Sequence, residues 1–190
     1  MSLIPAFELG LWNAWIFMVT TLLLTLYFLR LANEKGAASP TTVRLSKTKM
    51  TFTLLSKFIY FPAVIYTVFL PLKLGTIWFY VGLPITLIGL VAKGYALVNW
   101  ANTPAGKPVT RGLYRYSRHP LYVTDVLLLL GVSIASVSWV FLLFPLIIGV
   151  GAVYFIKIEE AGCLGQYGAA YREYMNRTPR WIGIPKSKET

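Results

Sequence analysis

Two short motifs in the C-terminal half hold residue types that can do chemistry. The first is Arg118-His119-Pro120-Leu121-Tyr122, at the head of an apolar stretch. Proline suits the first turn of a helix, where its missing N–H is no loss. The free amides of that turn, with Arg118 and His119 before them, are suited to an anionic group such as a carboxylate. Arg, His and Tyr at this point also read as anchors at a membrane interface. The second motif is Glu159-Glu160, at the end of the last apolar stretch. Carboxylates near a helix C-terminus oppose the macrodipole, at a cost of about 0.3–1 kcal/mol each, and these two repel one another. A cation offsets both costs, and Lys157, Arg172, Arg180 or a ligand ammonium could supply it. A solvated acidic pair where the helix leaves the membrane is the plainer reading. Asp125 is a third feature, about 7–8 Å along its helix from Pro120. An acid inside a membrane segment is a functional-site candidate, or the partner of Lys93 at similar depth on the preceding segment.

Helices must position these residues, and five apolar segments can be marked, at about 9–29, 51–72, 76–98, 120–135 and 139–158. Pro62, Pro71, Gly82, Pro84 and Gly89 fall inside them, where packed membrane helices tolerate what a soluble helix would not. The fourth segment is short for a core of roughly 30 Å, which implies tilt or a start within the interface. Only Ser136, Val137 and Ser138 separate the fourth segment from the fifth, so the two form a tight antiparallel hairpin. That hairpin brings His119 and Glu160 together. Beyond Glu159 the chain reads as an extension of the fifth helix, a turn near Gly165–Gly168, a short interfacial helix, and a tail broken by Pro179 and Pro185. Cationic donors and carboxylates thus converge beside Tyr167, Tyr171, Tyr174 and Trp181. That set suits a zwitterionic ligand with an aromatic base.

Composition sets the solvent. The 190 residues are 56% hydrophobic and only 13% charged, with a mean hydropathy of +0.62, whereas soluble domains carry about 25% charged residues. The fold class expected is all-α, a polytopic membrane protein of about five transmembrane helices with a C-terminal cytoplasmic helical segment. A net charge of +11 would suit a nucleic acid, but no recognition signature accompanies it and the cations lie between apolar runs. Of the 18 Lys and Arg residues, all but Lys73 fall on one side if five helices alternate. The positive-inside rule then puts the N-terminus outside and the C-terminus in the cytoplasm. Residues 1–8 hold no Lys or Arg and lead into a long apolar run, which reads as a retained helix rather than a cleaved signal. Cys163 and His119 are the only residues of their types. No intramolecular disulfide or thiolate cluster is possible, and no metal site is expected.

At these motifs the chain resembles the superfamily of isoprenylcysteine carboxyl methyltransferases and phospholipid N-methyltransferases. Residues 112–122, Gly-Leu-Tyr-Arg-Tyr-Ser-Arg-His-Pro-Leu-Tyr, look like the family's G-x-Y-R-x-x-R-H-P-x-Y. Glu159-Glu160, Leu164, Tyr167-Gly168, Tyr171, Tyr174 and Pro179-Arg180 fall in its spacing of E-E, L, F/Y-G, Y, Y and P-R. Thr124 stands where the family often has Gly, and Ala161-Gly162 replaces its usual charged residues. The resemblance covers about residues 107–185. It implies a membrane-embedded methyltransferase using S-adenosyl-L-methionine, with the cofactor between the last two helices and the C-terminal segment. Arg118, His119, Pro120, Tyr122, Glu159, Glu160, Tyr167 and Tyr171 would be cofactor contacts. Arg180 would position the acceptor, and Glu160 would act as base if the acceptor is an amine. On this reading residues 1–190 form one membrane-embedded domain. Residues 1–100 give three helices shaping the acceptor site, and 101–190 give the loop, hairpin and C-terminal segment of the cofactor site. The acceptor would be a lipid or prenyl-type amphiphile taken from the cytoplasmic leaflet. The lack of an appended domain points to a prokaryotic inner membrane.

Two other classes compete. A membrane reductase using NADPH on an isoprenoid or sterol-like substrate would share a related C-terminal fold, but is usually longer. In a non-enzymatic subunit or small transporter the same charges would serve as anchors.

Overall fold

The computed structural model describes residues 8–35 and 61–186. These residues form an all-α polytopic membrane protein. Helix α1 spans Trp15–Glu34, α2 Ile77–Ala101, α3 Pro120–Ser136, α4 Trp139–Tyr167 and α5 Ala169–Arg177, with a single 3-10 turn at Gly112–Arg115. Residues 61–68 are helical as well, and the remainder of the second apolar segment lies outside the described residues. Among the described residues, α1, α2 and α4 are long and apolar enough to cross a membrane, and α3 is a shorter apolar helix. At 1.5 Å per residue, the 17 residues of α3 reach about 26 Å, just under the hydrocarbon thickness. The 29 residues of α4 reach about 43 Å, so α4 overruns its apolar run and carries Glu159 and Glu160 on its final turns.

The first helix begins later than hydropathy suggests, and the cause is Asn13. Its buried side-chain amide donates to the carbonyls of Glu8 at 2.6 Å and Val68 at 2.8 Å. The neighbouring backbone bridges to residues 70–72, with Ala14 N–H donating to Leu70 O and Leu72 N–H to Trp12 O. Residues 8–14 therefore satisfy their polar groups through another segment instead of through a helix. Beneath them, Met18, Leu70, Leu128, Val132 and Phe141 form one apolar core at this end. The second core lies at the opposite end, where α2 finishes, α3 begins and α4 finishes. It is aromatic, with Trp100, Tyr114, Tyr171 and Tyr174 buried together.

Helices α2 and α3 pack through small residues. A Cβ on Gly82 would run into the backbone of Ala135, one on Gly89 into Leu128, and one on Gly131 into Thr86. Dispersion at close range replaces the hydrophobic effect as the glue between helices in lipid. The expected hairpin forms as read. Val137 caps α3 with φ 53°, and the Ser138 hydroxyl accepts from Phe141 N–H at the start of α4. Gly168 separates α4 from α5 at φ 53° and ψ −123°, a conformation open to glycine and strained for L side chains. The outward faces of the long helices carry exposed Leu22, Leu26, Val91 and Val150, as lipid contact requires.

Candidate functional site

The site is built at the aromatic end, from the loop before α3, the last turns of α4, and the chain after α5. Backbone bonds hold the first and last of these pieces together, and side chains join both to α4. Gly112 opens the 3-10 turn at φ 59°, and a Cβ there would also strike the Asn99 side chain, so both space and conformation favour glycine. The turn presents the carbonyls of Tyr114 and Ser117 to the buried Tyr174 hydroxyl, which donates at 2.6 and 3.5 Å. After α5 the chain returns along this loop. Arg118 N–H donates to Pro179 O and Gly183 N–H to Tyr116 O, both at 3.0 Å. The Ser117 hydroxyl accepts from His119 N–H at 3.1 Å and reaches Arg180 O at 3.4 Å. Ser117 and Tyr174 thus tie the two motif regions together, a role that neither spacing nor residue type disclosed.

Glu160 stands at the centre, with its side chain only 5% exposed. Arg180 approaches it with two nitrogens, Nη2 at 2.7 Å from Oε2 and Nε at 3.2 Å from Oε1. Arg118 Nη2 lies 3.2 Å from Oε1, and His119 Nε2 3.4 Å from the same oxygen. Of the cations expected to offset Glu160, the structure brings in Arg180 and adds Arg118. Both carboxylate oxygens are engaged, which leaves Glu160 little capacity to take a substrate proton or a ligand ammonium. Glu159 differs. Its side chain is 37% exposed, with Oε2 3.5 Å from His119 Nδ1. It is the carboxylate with an open side.

His119 precedes Pro120, the first residue of α3, so its imidazole sits between the two glutamates. Burial alone would lower its pKa, but the hydrogen bonds and charges of Glu159 and Glu160 together outweigh burial and hold it above the ordinary 6.5. Tyr122, one turn along α3, meets the imidazole edge-on with ring centroids 6.1 Å apart. Tyr171 and Tyr174 are each 4% exposed and lie 5.7 Å apart, while Tyr167 packs half-buried against the same aromatic core. Burial pushes the Tyr171 and Tyr174 hydroxyls up, so they remain neutral. These three tyrosines form a wall behind the ionic cluster.

Arg118 carries the least expected feature. Its side chain is 9% exposed, yet Nε and Nη1 are buried without a hydrogen-bond partner. Guanidinium groups are normally satisfied when buried, and one nitrogen on Glu160 uses a fraction of the fork's five donors. The orphaned donors suit an acceptor that is itself anionic and planar. Asp125 lies outside this cluster. It pairs with Lys93 across the α2–α3 contact, Nζ 2.5 Å from Oδ1, which is the structural one of its two readings. Among the described residues no group of His, Cys, Asp and Glu is arranged to hold a metal ion.

Fold and cluster together define a polytopic α-helical membrane protein with a buried arginine–histidine–glutamate centre at one end of its bundle. Residues 13–178 match the family described as "Protein of unknown function (DUF1295)", and the chain belongs to that family. No curated protein matches the chain.

Proposed function

We propose that the protein transfers a methyl group from S-adenosyl-L-methionine to a membrane-soluble amphiphile, either a prenylcysteine-like carboxylate or a phospholipid amine. The observation that carries this reading is the pair of unpartnered Arg118 donors, Nε and Nη1, in the same cluster as the partly exposed Glu159, with His119 next to both. A cationic donor and a carboxylate within one cluster match an amino acid head group, its carboxylate on Arg118 and its ammonium on Glu159. The resemblance of residues 112–122 and 159–180 to membrane methyltransferases supports the same assignment. When bound, the cofactor would supply an electrophilic methyl on a sulfonium, its carbon–sulfur bond breaking as the acceptor bond forms and S-adenosylhomocysteine departing.

What remains for the protein is alignment in a dry setting. Glu160 acts on this view as a positioning residue, because it fixes Arg118, His119 and Arg180 at once. His119 and Tyr122 orient Glu159, and Tyr167 and Tyr171 belong to the aromatic core behind them. Arg180, with its side chain 39% exposed, has one face toward Glu160 and another toward an incoming acceptor. A carboxylate acceptor would be oriented by Arg180 and need no base. An amine acceptor would lose its proton to solvent.

Calorimetric titration of the purified protein in detergent with S-adenosylhomocysteine tests the reading. Binding on the order of micromolar is expected for the wild type, weakened at least about tenfold, or 1.4 kcal/mol, in Arg118→Lys and Glu159→Gln. Lysine keeps the charge but not the fork. Absence of binding by a well-folded wild type would overturn the reading, and titration with NADPH would then address the reductase alternative.

A further inference from the structure

Small-residue packing holds α2 and α3 close, and Lys73 N–H, just before α2, donates to Ala135 O and ties them at the end away from the ionic cluster. Gly82, Gly89 and Gly131 each meet backbone of the facing helix, and the Thr86 hydroxyl turns back to Gly82 O of its own helix at 2.9 Å. Such a stripe offers no directional bond across the contact. A slip of one turn, about 5.4 Å, would bring Cβ-bearing residues into those close contacts, so the stripe resists it by shape and leaves smaller shifts to other contacts. The stripe ends toward the ionic cluster in Lys93 and Asp125, whose side chains are 8% and 19% exposed. Charges at this depth are expensive unless they are paired. Their pairing is met at one register and lost at the next, as a single polar residue in an apolar seam fixes a coiled coil.

The register of α3 matters because its first turn carries the site. Asp125 lies three residues beyond Tyr122 and so on the same side of the helix, and His119 directly precedes Pro120. Sliding α3 against α2 would draw the imidazole and phenol away from Glu159 and Glu160 on α4. We propose that the Lys93–Asp125 pair is a register lock, a positioning device that sets the height of the His119–Tyr122 turn against the Glu159–Glu160 turn. Its effect on ligand affinity rests on the cofactor reading above, while its effect on α3 does not.

The test uses the full chain with three kinds of replacement. Lys93→Met with Asp125→Leu removes the charges while keeping volume, and buried ion pairs replaced in this way are often tolerated. Lys93→Asp with Asp125→Lys reverses the pair, and Asp125→Glu conserves it and stands in should the reversal not fold. Amide hydrogen exchange over residues 118–124, thermal midpoint and S-adenosylhomocysteine affinity are read for each. The lock predicts that the apolar double variant keeps a thermal midpoint near that of the wild type. Its exchange in 118–124 should be faster by about tenfold, and its affinity lower by a similar factor. The reversed or conserved pair should return both to within about threefold of wild type. Wild-type exchange in the apolar variant, or its failure to fold, would overturn the lock, since the pair would then serve nothing or serve stability alone. Restored exchange without restored affinity in the reversed pair would mean that one of the two residues touches the ligand directly, which also overturns it. The exchange measurement decides the lock even if the wild type binds no S-adenosylhomocysteine.

Discussion

At the scale of single residues, the cluster is governed by Glu160. One carboxylate, 5% exposed, faces two guanidinium groups and an imidazole. Removing it leaves the buried Arg118 uncompensated, and breaking a buried pair in this way costs about 3–5 kcal/mol. Glu160→Gln is therefore expected to lower the thermal midpoint in detergent sharply, and a variant melting like the wild type would contradict the central role given to it. His119 gives a second expectation with a definite sign. Its folded-state pKa lies above the ordinary 6.5, so its contribution to stability is complete below 6.5 and is lost as pH rises through the folded value. The melting difference between wild type and His119→Gln should shrink as pH is raised from acid to alkaline. A difference that grows with pH would reverse the assigned charge coupling.

At the scale of elements, the close α2–α3 approach is the feature most open to test. Gly131 faces the backbone of Thr86 and Gly82, so Gly131→Ala should force the helices apart and destabilise by about 1–3 kcal/mol. Gly165 sits inside α4 with nothing within 4 Å of an added Cβ. Gly165→Ala should raise stability by about 0.5–1 kcal/mol, because alanine favours the helix. Opposite signs in thermal denaturation would support the packing, and equal effects would contradict it. The hairpin between α3 and α4 was legible from its three-residue connection, since two apolar runs so joined have no room to lie apart. The start of α1 was not legible. Hydropathy counts Leu9 and Leu11 as helix, while the structure uses Asn13 to bind Glu8 and Val68 carbonyls, a contact across 55 residues.

At the scale of the whole molecule, the bundle has two unlike ends, one apolar with a backbone bridge and one aromatic and ionic. The positive-inside rule predicts that the ionic end faces the cytoplasm. Cysteines introduced as Lys186→Cys and Lys73→Cys in a Cys163→Ala background provide the check. An impermeant thiol reagent should reach the first in inverted vesicles and the second in right-side-out vesicles, and the reverse pattern would invert the topology. By itself the sequence determined the class of molecule, because long apolar runs with few charges leave lipid as their solvent. It also determined which residues meet, since a three-residue hairpin forces the His119 and Glu160 motifs together. Only the tertiary structure decided how they divide the work. Which cations neutralise Glu160, which glutamate keeps an open side, and which Arg118 nitrogens stay unpartnered all depend on the return of residues 178–184 along the loop before α3. That return is held by backbone bonds from Arg118 to Pro179 and from Gly183 to Tyr116, and backbone bonds leave no mark on residue type or spacing.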